Sequence, residues 1–280
     1  MTKNYKRYFP LFVLPTLLAF LIVFFIPFLL GIILSFTEFT TVTNATFVGL
    51  DNYIKAFSDA DFLNALWFTF GFVIVSIITV NVFAFLFALL LTRKIKGTNI
   101  FRTVFFMPNL IGGIVLGYIW QLILNGALYP FGMTITNKPE FGFWGLIIMM
   151  NWQMIGYMMV IYIAGIQNVS QEVNEAAKID GANGLQTLTR ITIPLVAPSF
   201  TICLFLTMSN AFKLFDQNLA LTAGAPSKKT AMLALDIYNT FYGKVGSEGI
   251  GQAKAVIFTI IVAVIAIIQL RATRTKEVEN

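Results

Sequence analysis

Two sets of side chains in this 280-residue chain have the types and spacing to do work. The first is a polar stretch from Asn168 to Pro198, reading NVSQEVNEAAKIDGANGLQTLTRITIPLVAP. It lies between apolar segments and is too charged to sit in lipid. It suits contact with another protein, or with membrane headgroups. The second is a set of amides and hydroxyls inside apolar segments. Thr207, Asn210, Lys213 and Gln217 recur at steps of three, three and four, one face of a helix. Gln153 and Tyr157 share a face of an earlier segment, with Asn151 pointing away unless Gly156 bends the chain. Asn109 follows Pro108, a kink signal, and Gly112-Gly113 permit close backbone approach. Amides suit the hydroxyls of a sugar and aromatic rings suit its pyranose face. Hydrogen bonding between helices, with Lys213 reaching the interface, uses the same residues, so spacing leaves both readings open.

Much chemistry is excluded. The chain has no histidine, which removes a Ser-His-Asp triad and imidazole acid–base catalysis. Its single cysteine, Cys203, allows no intrachain disulfide and no multi-cysteine metal site. No catalytic residue and no metal ligand is therefore expected. Residues 224–230 read GAPSKKT and do not fit the G-x-x-x-x-G-K phosphate cradle. A net charge of +6 could suggest nucleic acid, but the basic residues stand beside apolar segments rather than in one patch. No nucleic-acid partner is expected.

The polar stretch has the grammar of two short helices joined by a bend. Ser170 can N-cap the first, with Glu172 in the first turn, where the helix dipole favours negative charge. Asp180-Gly181 supplies the stop, since glycine takes the left-handed conformation without steric cost. Asn183 and Gln186 can cap a second helix from both sides. Leu185, Leu188 and Ile191 then recur at helical spacing, and Pro194 can begin the next segment.

Glu175-Ala176-Ala177, Asp180-Gly181-Ala182, Ile191, Pro194 and Pro198 together resemble the EAA motif of ATP-binding-cassette (ABC) importer permeases. The resemblance implies that residues 168–193 form a coupling loop docking into a groove of a separate ATPase subunit. Glu175, Ala176, Ala177, Asp180, Gly181, Ala182, Ile191 and Pro194 would then be its coupling residues. Ala176 and Ala177 keep the helix slim, and Gly181 sets the angle between its arms. Leu188 departs from the aromatic residue of many relatives but stays apolar.

These elements must be positioned by membrane helices. Hydrophobic residues make up 58% of the chain and charged residues 11%, against about 25% charged in soluble domains. Six stretches approach the roughly 20 apolar residues a bilayer requires. They are Pro10 to Phe36, Phe62 to Leu91, Val104 to Leu124, Phe143 to Ile166, Leu195 to Phe215 and Ala253 to Leu270. Residues 126–140 read as a loop. Lys3, Lys6 and Arg7 precede the first stretch as in a signal peptide, but its apolar run is too long and no cleavage site follows, so it is expected to stay as an anchor. With both termini inside, 12 of the 19 Lys and Arg face the cytoplasm. They lie in that basic start, between Arg93 and Arg102, at Lys178 and Arg190, and at the C-terminus. The positive-inside rule therefore predicts cytoplasmic termini and a cytoplasmic polar loop.

Other segments extend the resemblance over most of the chain. Phe47-Val48-Gly49-Leu50-Asp51-Asn52-Tyr53 with Asp61-Phe62, Phe101-Arg102-Thr103, Gly117-Tyr118-Ile119-Trp120, and Leu221-Thr222-Ala223-Gly224 before Ala225-Pro226 resemble sugar-type permeases. The subgroup is that of the larger maltose-importer subunit. The fold this implies is all-α: one domain, residues 1–280, with six transmembrane helices of the type I importer kind in the cell membrane. Its implied partners are a second homologous permease, ABC ATPase subunits, an extracellular solute-binding protein, the sugar substrate and membrane lipid. ATP and Mg would sit on the ATPase, leaving no cofactor on this chain. The expected substrate path is Asn109, Gln153, Tyr157, Thr207, Asn210 and Gln217. An ABC permease for glycerol phosphate or another polar organic solute, or a self-contained secondary transporter, is the alternative. The latter would more naturally carry a mid-membrane coupling carboxylate, and no acidic residue falls there.

Overall fold

The computed structural model describes residues 12–93 and 96–274. The basic start of the chain and its last residues, used above for orientation, lie outside them. The described chain is almost entirely helical. Twelve helices will be used here: α1 (Phe12–Leu34), α2 (Asp51–Ser58), α3 (Ala60–Leu91), α4 (Thr98–Phe106), α5 (Gly113–Leu128), α6 (Pro139–Gln167), α7 (Gln171–Ile179), α8 (Gly184–Leu195), α9 (Ala197–Phe212), α10 (Asp216–Leu221), α11 (Leu233–Gly243) and α12 (Glu248–Arg274). Among the described residues the strands are confined to a two-residue antiparallel pairing, β1 (Thr37–Glu38) with β2 (Thr46–Phe47).

Five described helices are long and apolar enough to cross a membrane: α1, α3, α5 with the short turn after it, α6 and α12. A sixth crossing requires α8 and α9 to be counted together, although they meet at a bend of 68°. The expected third span is not continuous. Its first residues belong to α4, and Met107–Leu110 then form a 3-10 turn containing Pro108 before α5 starts at Gly113. A proline has no N–H to continue the ladder and restricts the residue before it, so the break falls where the kink was predicted. The loop read over residues 126–140 is shorter than expected, because α5 runs to Leu128 and Pro139 begins α6.

The chain divides into two compact units. One holds the described residues up to Phe62 together with Ile237–Thr259. Here Asn52 is buried and donates to the carbonyls of Ser35 and Thr37, at 3.0 and 2.8 Å. Ser35 and Tyr53 share a hydrogen bond of 2.6 Å. Gly249 and Gly251 let the start of α12 approach closely. A Cβ at Gly249 would fall 2.2 Å from the Thr37 carbonyl oxygen, and one at Gly251 would fall 2.9 Å from Phe241 Cα.

The other unit, Leu63–Asp236 with the described residues from Ile260 onward, contains the polar loop and all the expected path residues. Its core is the inner face of α6, where Leu146, Met149, Met150, Met158, Met159 and Tyr162 are buried. Gly156 does not bend α6, which runs unbroken from Pro139 to Gln167. It admits α4 instead: a Cβ there would fall 1.7 Å from the Phe105 carbonyl oxygen. In the same way Gly113 and Gly117 of α5 seat α10. Added Cβ atoms would meet Asp216 and Ala220 at 2.7 Å. Gly112, its neighbour, meets nothing within 4 Å.

Candidate functional site

The polar loop folds as its sequence dictates. The Ser170 hydroxyl accepts from the Val173 N–H at 3.3 Å, so it caps α7 at the predicted residue. At the other end Gly181 has φ +77°, the left-handed region that glycine occupies cheaply. Its N–H donates to the Lys178 carbonyl at 3.1 Å, and the Ala182 N–H donates to the Ala177 carbonyl at 2.9 Å. That pair is the Schellman closure of a helix C-terminus. Two residues on, the Asn183 side chain accepts from the Gln186 N–H at 2.9 Å, while Gln186 Oε1 accepts from the Asn183 N–H at 2.8 Å. This reciprocal capping box starts α8. Both sides of the bend are thus fixed by backbone and side-chain hydrogen bonds, with Gly181 between them.

The arm presents a polar surface and tucks in one small residue. Glu175, Ala176, Asp180 and Gly181 are exposed and Ala182 is half-buried, whereas Ala177 is only 5% exposed. Gln171 donates to Glu175 at 2.6 Å, holding that carboxylate along the helix. Ile179 and Leu185, on either side of the bend, are 86% and 70% exposed, which is costly for apolar side chains left in water. Beyond the bend, Leu188–Thr192 is a π-helical stretch containing Ile191. Pro194 follows, and the axis then turns at Val196 into α9. The predicted fifth stretch, Leu195 to Phe215, is therefore entered through an elbow.

The intramembrane polar residues separate into two groups. Gln153, 9% exposed on α6, accepts from Gln217 Nε2 at 3.1 Å and makes a long contact of 3.5 Å to the Ile111 carbonyl. Gln217 is on α10, not on the helix of Thr207 and Asn210, since α9 ends at Phe212. Tyr157 is half-buried against Phe106, ring centres 6.2 Å apart. Asn109 is half-buried in the 3-10 turn beside Ile111. Asn210 is exposed on α9 and donates to its own helix at the Leu206 carbonyl, 2.8 Å.

Thr207 behaves differently. It is fully buried and accepts from Asn81 Nδ2 at 3.2 Å. Asn81, on α3, also donates to the Ile77 carbonyl and accepts from the Tyr162 hydroxyl at 2.8 Å. Phe85 and Phe200 pack on Tyr162, with ring centres 5.4 and 4.8 Å away. Thr207 is thus part of a buried hydrogen-bonded network that ties α3, α6 and α9 together. Asn151 also turns inward, donating to Thr79 on α3 at 2.9 Å. Asn81, Tyr162 and Thr79 carried no pattern that singled them out. The only available signal was an asparagine deep in an apolar run, which needs a partner.

A third constellation was also missed. Asn218 on α10 is fully buried and donates to Thr222 Oγ1 and to the Thr230 carbonyl, and it accepts from the Met232 N–H at 2.9 Å. It closes the segment 222–232, in which Ala223, Ser227 and Lys228 have positive φ. Among the described residues no group of three His, Cys, Asp or Glu side chains could hold a metal ion.

Comparison with known proteins places these features in context. The profile of binding-protein-dependent transport system inner membrane components matches residues 84–274. The chain is 46% identical to a protein of Thermoanaerobacterium thermosulfurigenes described as a probable starch degradation products transport system permease, over 96% of this chain and 94% of that one. It is 30% identical to the multiple sugar-binding transport system permease protein of Streptococcus mutans, over 95% of each. Its fold is similar to a chain in the crystal structure of a bacterial ABC transporter involved in alginate import, with a TM-score of 0.82 over 98% of both chains at 22% identity.

Proposed function

This chain belongs to the family of binding-protein-dependent transport system inner membrane components, and we propose that it is the permease subunit of an ATP-driven importer of a di- or oligosaccharide. The observation that carries this reading is the polar arm, with exposed Glu175 and Ala176 and the closed bend at Gly181, in a chain whose relatives carry starch products and other sugars. In this reading both termini and the arm are cytoplasmic, and all 280 residues serve one permease domain. The arm seats on a separate ATPase chain, which holds the ATP and Mg. A second permease completes the sugar path, and an extracellular solute-binding protein delivers the sugar.

Each feature of the arm has a task. Ala176 and Ala177 carry no side chain beyond Cβ, so the helix can enter a groove without displacing its walls. Glu175, Asp180 and Lys178 offer charge-assisted contacts at the rim. Gly181, closed by the Lys178 and Ala177 carbonyls, makes the two arms move as one body. Ile191 and Pro194 carry that movement to the elbow at Val196 and on to α9. Sugar hydroxyls would bond Asn210 and displace the amide pair of Gln153 and Gln217, with Tyr157 and Asn109 beside them.

The test is Gly181→Val. A β-branched residue is strongly disfavoured at φ +77°. The Schellman closure costs on the order of 1–3 kcal/mol to distort at such a position. Sugar-stimulated ATP hydrolysis should fall by about tenfold or more, or the ATPase should dissociate during purification, while membrane insertion stays normal. If Gly181→Val assembles and hydrolyses ATP like the parent, the bend does not couple.

A further inference from the structure

Lys254 is fully buried, and it lies seven residues into α12, one of the helices long and apolar enough to span a membrane. An ammonium in that setting is expensive unless it is paired, and it marks function more often than packing. Three of its neighbours, Asp59, Thr240 and Phe62, belong to the same compact unit. Nζ donates to Asp59 Oδ2 at 2.6 Å and to Thr240 Oγ1 at 2.7 Å, and it stands 5.2 Å from the centre of the Phe62 ring. Asp59 is the turn residue between α2 and α3, and its side chain keeps 36% exposure. It also accepts from the Asp61 N–H at 2.9 Å. Thr240 is on α11. Burial pushes the Asp59 carboxyl up, but the Lys254 ammonium and the Asp61 and Phe62 backbone N–H groups together hold it below the usual carboxylate range. One side chain therefore ties α12 to α11 and to the α2–α3 turn.

Packing does not explain why a charge stands there. The neighbouring residues on α12 are Gly249, Gly251 and Ala253, and the two glycines lie against backbone. Glycines permit close approach and add no ridge of their own to fix where one helix stops along another. A methionine at 254 would fill similar volume without desolvating an ion, and apolar replacements of buried ion pairs are often neutral or stabilising. What the pair adds is register. Its donor and acceptor meet in one arrangement of the helices and in no slid one.

We propose that Lys254 is a positioning residue for transport: through Asp59 and Thr240 it sets the register of the first turns of α12, so that movement of the arm is converted into movement of sugar. The proposal rests on the importer reading above. It is tested in the complete transporter, reconstituted in vesicles with its partner permease, its ATPase and the solute-binding protein that stimulates it. Lys254→Met is compared with Asp59→Asn and with the double variant. Asp59→Asn should lower the yield of intact complex, because it takes a carboxylate away from a buried ammonium. Lys254→Met leaves only a part-exposed carboxylate and should assemble. Its uptake per ATP hydrolysed should fall by about fivefold to tenfold, with the half-saturating sugar concentration within about twofold. The double variant removes both charges and should restore assembly and thermal stability, yet its uptake per ATP should stay low. A purely structural pair gives the opposite result, with coupling restored alongside stability, and that outcome overturns the proposal. So does a Lys254→Met protein that transports like the parent. If the parent transporter itself shows no sugar-stimulated ATP hydrolysis, the importer reading fails instead, and the two failures are distinct.

Discussion

At the scale of single residues, the outcome turns on where each amide finds its partner. An amide facing lipid has nothing to bond, so every one must face protein or water. Asn210 faces outward from α9, and Gln153 spends its carbonyl on Gln217. Replacing either by Leu keeps roughly the volume and, if the proposed path is right, removes one hydrogen bond to a sugar hydroxyl. That bond is worth about 0.5–1.5 kcal/mol, so uptake should fall about threefold to tenfold. Basal ATP hydrolysis should persist, because the arm is untouched. Asn151→Leu is the contrast: it breaks the link to Thr79 between α6 and α3, so it should lower thermal stability and spare the sugar affinity. Uptake abolished by Asn151→Leu but unchanged by Gln153→Leu and Asn210→Leu would show that the faces were chosen wrongly. Helical spacing put Thr207 and Asn210 on one stripe. The stripe divides because Asn81, 126 residues earlier, claims Thr207. Periodicity ranks faces within one helix and carries nothing about which other helix supplies the partner.

At the scale of elements, local signals were the readable ones. Ser170, Gly181 and the Asn183–Gln186 pair all act through backbone groups within four residues, and each does what its chemistry predicts. The break at Pro108 is equally local. The errors are tertiary. The sequence left open whether Gly156 bends α6; its use is to let the α4 backbone lie against α6, which only the fold reveals. The end of α9 at Phe212 was misread because Gln217 continues the spacing on a separate helix. The glycine carries its own prediction. A methyl group at 156 would stand 1.7 Å from the Phe105 carbonyl oxygen, which is backbone and cannot rotate away. Overpacking of this kind costs about 1–3 kcal/mol and sometimes more. Gly156→Ala should therefore lower the unfolding temperature of the purified complex and loosen α4, read as faster amide exchange in Thr98–Phe106. Unchanged exchange and unchanged stability would show that the close approach is not holding α4.

At the scale of the whole molecule, the open quantity is the number of crossings, because it fixes which side each loop faces. Among the described residues five helices suffice by length, and an odd number of crossings would put Phe12 and Arg274 on opposite sides. Six crossings, with both ends inside, require α9 to span. At 16 residues and 1.5 Å per residue, α9 is about 24 Å long, somewhat short of a hydrocarbon core of about 30 Å. The missing length must come from the elbow at Val196 and from the turn Lys213–Phe215, where an exposed lysine can reach the interface. Its apolar and small side chains and its buried link to Asn81 are compatible with a crossing. A cysteine scan decides the matter. Cys203 is fully buried, and Cys203→Ser leaves a background without thiols. Single cysteines at Asn44 and Ser227 should then react with a membrane-impermeant maleimide added to intact cells. Cysteines at Lys96 and Asn183 should react only after the cells are opened, although all four positions are exposed. Asn183 and Ser227 lie on either side of α9, so the two labelling on the same side would mean that α8 and α9 form a re-entrant loop and that five helices cross. Labelling of Asn183 from outside would put the arm out of reach of any cytoplasmic ATPase, and the coupling mechanism would fall with it.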